Sequence, residues 1–113
     1  MKLTEIVEKL GLTVKTGDHL LNQEVKGGYV SDLMSDVMAN ADEGDLWVTL
    51  QIHQNIVAVA VMKSLAGIVL INGREPEKET VQKAESEGIP IMVTDIPAFE
   101  LVGRLFALGI SGS

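Results

Sequence analysis

The sequence predicts an α/β domain of three layers, a mainly parallel sheet with helices on both faces. Three observations lead there. Residues 44–74 read as turn, strand, polar loop, apolar helix, buried strand and polar loop, which is one βαβ unit. The pattern continues to the C-terminus as β-α-β-α-β-α, and right-handed crossovers make such strands parallel. The polar residues of this half gather in the loops that follow the strands, the edge at which open α/β sheets bind ligands.

Taken in order, residues 3–10 place Ile6, Val7 and Leu10 on one side and Glu5, Glu8 and Lys9 on the other, with Gly11 at a helix C-terminus. A strand follows at Leu12 to Thr16, then a Gly17-Asp18 turn; residues 19–23 fit helix or strand equally. Glu24 to Val30 reads as extended, with Gly27-Gly28 permitting a bulge or close backbone approach. Ser31 or Asp32 can cap a helix whose apolar positions are Leu33, Met34, Val37, Met38 and Ala41. Leu46 to Ile52 alternates, predicting one well-buried side and one partly polar side.

Residues 56–62, Ile-Val-Ala-Val-Ala-Val-Met, have no polar face. Their place between two strands favours a crossover helix, and an all-apolar helix needs cover on several sides, for which a second subunit is one source. Gly67 to Ile71 is an unbroken apolar run suited to a central parallel strand. Pro76 opens a surface helix to about Glu87, with Val81 and Ala84 as its core contacts. A strand at Ile91 to Thr94 and a helix from Pro97 complete the pattern. The last helix presents Phe99, Leu101, Val102, Leu105, Phe106 and Leu108 as a broad apolar face.

At 113 residues, the chain 1–113 reads as a single domain able to bury roughly 65% of its unfolded surface. Its aromatic residues are Tyr29, Trp47, Phe99 and Phe106, so the core must be aliphatic. Sixteen acidic against nine basic residues give a formal charge of −7, which disfavours general binding to nucleic acid or to anionic membrane. The lack of cysteine removes disulfides, thiolate metal sites and cysteine nucleophiles together. His19 and His53 are too few and too far apart for a metal motif, and no metal or cofactor is expected. No apolar run approaches a transmembrane length, and the N-terminus is unlike a signal peptide. A cytoplasmic protein is expected.

The candidate ligand-binding residues are those at the strand ends: His53, Gln54 and Asn55; Asn72, Gly73 and Arg74; Thr94 and Asp95. Gly28 and Asp32 form a possible further wall. Three helix N-termini point at the same edge, and with Arg74 they suit a phosphate or carboxylate. Each residue also has an ordinary explanation. Asn55 and Asp95 fit helix N-caps, Asn72-Gly73 is a common turn, and Arg74 can pair with Glu75 or Glu77. His53 with Asp95 would make a base and its orienter, yet no nucleophile accompanies them. Neither a phosphate loop, a dinucleotide fingerprint nor a nucleophile elbow occurs.

The segments Lys26 to Met38, Gly44 to Thr49 and His53 to Ala60 resemble the stand-alone proteins of the DRTGG domain family. The likeness continues through Gly67 to Gly73 and Glu87 to Ile91. The resemblance implies an α/β domain, often dimeric, used as a regulatory or connecting module in phosphotransacetylases and CBS-domain pyrophosphatases, and related to the N-terminal region of HPr kinases. Where the wider family carries Gly-Asp-Arg after the first parallel strand, this chain has Gln51-Ile52-His53. The Thr-Gly-Gly of the family is here Ile71-Asn72-Gly73, which keeps the second glycine alone. The expected function is a non-catalytic, homodimeric regulatory domain for a small anionic metabolite or nucleotide. A dimerising adaptor for a metabolic or redox enzyme is the alternative, and an enzyme acting on a phosphoryl or acyl group stands third.

Overall fold

A computed structural model describes residues 1–112. The described residues run α1 (Leu3–Leu10), β1 (Thr13–Thr16), a 3₁₀ turn (Asp18–Leu20), β2 (Gly27–Val30), α2 (Met34–Asn40), β3 (Asp45–Thr49), α3 (Asn55–Lys63), β4 (Gly67–Leu70), α4 (Lys78–Glu87), β5 (Ile91–Val93) and α5 (Ala98–Ala107). The five strands lie in the order β1-β5-β4-β3-β2. Strands β2 to β5 are parallel, and β1 joins β5 antiparallel. The α/β class, the mainly parallel sheet and the β-α-β-α-β-α half agree with the sequence reading.

Two apolar cores sandwich the sheet. One is formed by Val37 of α2, the α3 residues Ile56, Val57, Val59 and Ala60, and Ala84 of α4, packed on Trp47, Ile68, Leu70 and Ile91. The other joins Leu3 and Ile6 of α1 with Leu101 and Leu105 of α5, packed on Leu46, Val48, Val69 and Met92. The alternation of β3 thus feeds both layers, and every residue of that strand is buried. The partly polar side expected of it is absent because α2 and α3 cover the Trp47 face.

Helix α3 gains much of its cover within the chain. Ile56, Val57, Val59 and Ala60 are buried, with α2 and α4 as neighbours, while Val61 and Met62 stay exposed. Helix α5 departs more from expectation. Leu101 and Leu105 enter the core, but Phe99 is 95% and Phe106 68% exposed, so its apolar face is only half used. In α4 the buried pair is Thr80 and Ala84, and Thr80 satisfies its hydroxyl on the Ile52 carbonyl at 2.6 Å.

The expected capping residues also shift. Asn55 is the first residue of α3 rather than its cap, Asp95 lies ahead of the Pro97 cap of α5, and Leu33 precedes α2. Ser31 accepts the Leu33 N–H through Oγ, whereas Asp32 turns to β3.

Strand β1 is held by a side chain as much as by its backbone. The ladder to β5 is irregular between Val14 and Thr16, which leaves Lys15 as the extra residue. Thr16, 1% exposed, donates its hydroxyl to the Ile89 carbonyl at 2.7 Å and accepts the Ile91 N–H at 2.9 Å. Gly17 then turns the chain with φ +70° against Pro90, where a Cβ would come within 2.9 Å of the Pro90 Cα. Thr16→Val keeps the shape but strands two buried backbone groups. The expected loss in urea unfolding is about 1–3 kcal/mol, and an unchanged midpoint would show that the bulge needs no hydroxyl.

Candidate functional site

The four parallel strands deliver their C-terminal ends to one edge, as expected, but the candidate residues there separate into three groups. At the β2 and β3 ends, Asp32 Oδ1 accepts the Thr49 hydroxyl at 2.8 Å and the Leu50 N–H at 2.7 Å. Gln51 donates its side-chain amide to the Asp32 carbonyl, and the Trp47 indole N–H donates to the Ser31 carbonyl at 2.8 Å. Asp32 therefore clasps the β2–α2 loop to β3. Gly28 sits at the other end of β2, opposite Leu46, and its N–H bonds the Ser111 carbonyl of the C-terminal tail. It forms no wall of the strand-end cluster.

The second group lies on the β3–α3 loop. His53, Gln54 and Asn55 are exposed, and His53 Nδ1 lies 2.9 Å from Glu77 Oε1. The partner of His53 is thus Glu77, not Asp95. Glu77 also donates its backbone N–H to the Ile52 carbonyl, which ties the start of α4 to the same loop.

The third group surrounds a cavity of about 420 Å³ at the ends of β4 and β5. Its lining combines Gly73, Thr94 and Asp95 with residues that sequence reasoning did not place there: Thr13, Lys15 and Glu75. The Gly73 N–H donates to the Thr94 carbonyl at 2.9 Å, and a Cβ at Gly73 would lie 3.1 Å from Asp95 Oδ1. Asn72 and Gly73 both hold positive φ, 55° and 70°, so this tight turn brings backbone close to the carboxylate. Lys15, the extra residue of the β1 bulge, reaches Glu75 at 2.9 Å. Arg74 is exposed at the rim of the same turn, and the partners expected for it, Glu75 and Glu77, are engaged by Lys15 and His53. Among the described residues no group of His, Cys, Asp and Glu is arranged to hold a metal ion.

Chemically, the cavity offers an ammonium, two carboxylates, two threonine hydroxyls and glycine backbone. It suits a ligand carrying both negative charge and hydrogen-bond donors better than it suits a bare anion. What sequence reading lacked was the partner of β1: an antiparallel edge strand beside β5 leaves no periodicity signal that names its neighbour.

A family model described as the DRTGG domain matches residues 5–108. The chain belongs to the DRTGG domain family. Among solved structures, this DRTGG domain is similar to the CBS and DRTGG domains of the regulatory region of Clostridium perfringens pyrophosphatase, complexed with the activator diadenosine tetraphosphate. The TM-score is 0.72 at 16% identity, and the match covers 97% of this chain and 47% of that one. At this identity the likeness is one of fold, and the chain spans about half the length of that structure. A search of curated proteins found no match. No helix of the described residues is long and apolar enough to cross a membrane.

Beside the β2–β3 clasp, the Tyr29 hydroxyl donates to Asp36 Oδ2 at 2.8 Å and the Asn40 amide to Asp36 Oδ1 at 2.9 Å. The Tyr29 hydrogen bond, followed by those from Ser31 and Asn40, lowers the Asp36 carboxyl below its ordinary value, and the same bond raises the Tyr29 phenol. A depressed carboxyl stabilises the fold fully above its unfolded value and loses that contribution as pH falls through the folded value. Thermal melts of the wild type should therefore decline on acidification below the ordinary aspartate range more steeply than those of Asp36→Asn. Parallel profiles would show that the network adds no pH-dependent stability.

Proposed function

We propose that this DRTGG domain is a non-catalytic regulatory module that works as a homodimer and binds a nucleotide-class ligand at the β4–β5 strand ends. The observation that supports it best is the cavity that has Lys15, Gly73, Thr94 and Asp95 around one space, with the exposed Arg74 next in sequence to Gly73. Its volume of about 420 Å³ lies within the range of small-molecule sites. Phosphate groups would meet Lys15 and Arg74, while Asp95 and Glu75 would accept hydrogen bonds from ribose hydroxyls or exocyclic amines. Inorganic phosphate alone would face two carboxylates and bind poorly. The activator bound to the pyrophosphatase regulatory region is a dinucleotide polyphosphate, which belongs to the same chemical class.

The non-catalytic reading rests on the side chains available. His53 is paired with Glu77, and no activated nucleophile adjoins it. A module without chemistry of its own acts by changing what its surfaces bind, so a ligand-dependent contact with a metabolic enzyme is part of this proposal. The alternative, an adaptor with no small ligand, is favoured by one observation, the exposed Phe99 and Phe106 of α5.

A thermal-shift series with AMP, ADP, ATP and diadenosine tetraphosphate, with inorganic phosphate as control, separates the two. At least one nucleotide should raise the melting temperature, phosphate should not, and the ligand should be recovered unchanged. Lys15→Ala and Arg74→Ala should each weaken binding about tenfold or more, the scale of a lost charged hydrogen bond. A domain that no nucleotide stabilises refutes the sensing reading and leaves the adaptor.

A further inference from the structure

Helix α5 carries an apolar stripe that the fold leaves uncovered. Phe99 is 95% exposed, Phe106 68% and Val102 36%, and Val30 of β2, 50% exposed, extends the same surface. With Ala98 and Gly103 these residues line a groove of about 590 Å³ that contains no charged side chain. The two phenylalanines alone offer roughly 300 Å² of apolar area. That approaches the largest patch usual on a monomer, and it is a substantial part of the about 800 Å² that each partner contributes to a standard interface.

Gly103 supplies an independent indication. It lies within α5, where glycine weakens a helix relative to alanine, and it does not hold positive φ. A Cβ at this position would meet nothing within 4 Å. The folded monomer therefore gives no steric reason for a glycine at the middle of its exposed stripe. A second backbone passing close over the helix does.

The spacing identifies that partner. Phe99 and Phe106 stand seven residues apart, about 10 Å along the axis, and Val102 and Gly103 fall midway between them. When two such helices cross antiparallel about a twofold axis at this midpoint, Phe99 of each faces Phe106 of the other. Val102 likewise faces the notch at Gly103. Ring against ring at the two ends and valine against glycine at the centre give the same contacts from both copies, as an isologous interface requires. A membrane is disfavoured as the occupant, because the groove has no lysine or arginine to meet anionic lipid.

We infer that α5 is the homodimer contact of this domain, two copies packing antiparallel through Phe99, Val102, Gly103 and Phe106, with Val30 at the margin. The inference rests on the homodimeric part of the proposed function and locates its interface. It moves the subunit contact away from α3, whose exposed apolar residues are limited to Ala58, Val61 and Met62.

Sedimentation of the wild type at about 100 μM, with Phe106→Glu and Gly103→Leu beside it, tests the inference. The wild type should be dimeric. Both variants should dissociate about tenfold or more readily, with circular dichroism unchanged because both positions are exposed in the monomer. The chain has no cysteine, so Val102→Cys should give a disulfide-linked dimer on mild oxidation, and Met62→Cys should not. A dimer that persists in Phe106→Glu and cross-links through Met62→Cys would overturn the α5 interface while leaving the homodimer intact. A monomeric wild type would overturn both. Binding of a monomeric wild type to neutral phosphatidylcholine vesicles, lost in Phe106→Glu, would assign the stripe to lipid instead.

Discussion

The burial of β3 and β4 on both faces is the constraint from which the rest follows. All nine residues of these two strands are buried, between α2, α3 and α4 on one side and α1 and α5 on the other. A strand in that position has no solvent side on which to carry polar groups, so ligand-capable side chains collect where the strands stop. The two polar groups that do enter β3 are both engaged: Asp45 accepts the Asp42 N–H and Thr49 donates to Asp32. At the strand ends the central strands can vary their chemistry without leaving a buried polar group unpaired.

Much of the fold was legible because it is repetitive. The unbroken apolar run at residues 67–71, the alternation from Leu46 and the glycines at helix ends locate the parallel half to within about three residues, the strand expected to reach Ile52 ending at Thr49, since each signal is local. The N-terminal half was less legible. Nothing local to Leu12 to Thr16 indicates that this strand pairs with β5 some 75 residues later, and the hydroxyl bridge of Thr16 replaces a regular ladder there. Lys15 and Glu75 were missed as site residues for the same reason. Helix α5 failed differently: periodicity correctly found its apolar positions, but it does not distinguish a face that meets the chain's own core from one that meets another molecule.

The candidate site was half legible. Gly73, Thr94 and Asp95 do come together, because consecutive parallel strands must end side by side. His53 and Asp32 occupy the expected edge but are spent on Glu77 and on the β2–β3 clasp. The ordinary alternative for Asn55 and Asp95, helix capping, rests on residue type alone, and Gln54 and Pro97 hold those places without any capping side chain. Membership of the DRTGG family accounts for the architecture. The basic side chain that lines the cavity, Lys15, comes from β1.

The two outer strands have a further consequence, for colloidal behaviour. The interior of this sheet is Val-, Ile- and Leu-rich, the composition from which intermolecular sheets grow when an edge is open. Both edges are poor templates. β1 has four residues, an irregular ladder and Lys15 at the irregularity, while β2 has four residues, two of them glycine, and is met at Gly28 by the C-terminal tail. Short, interrupted and charged edges resist strand addition. Edges of this kind lower the tendency of a strongly β-forming core to seed intermolecular sheets.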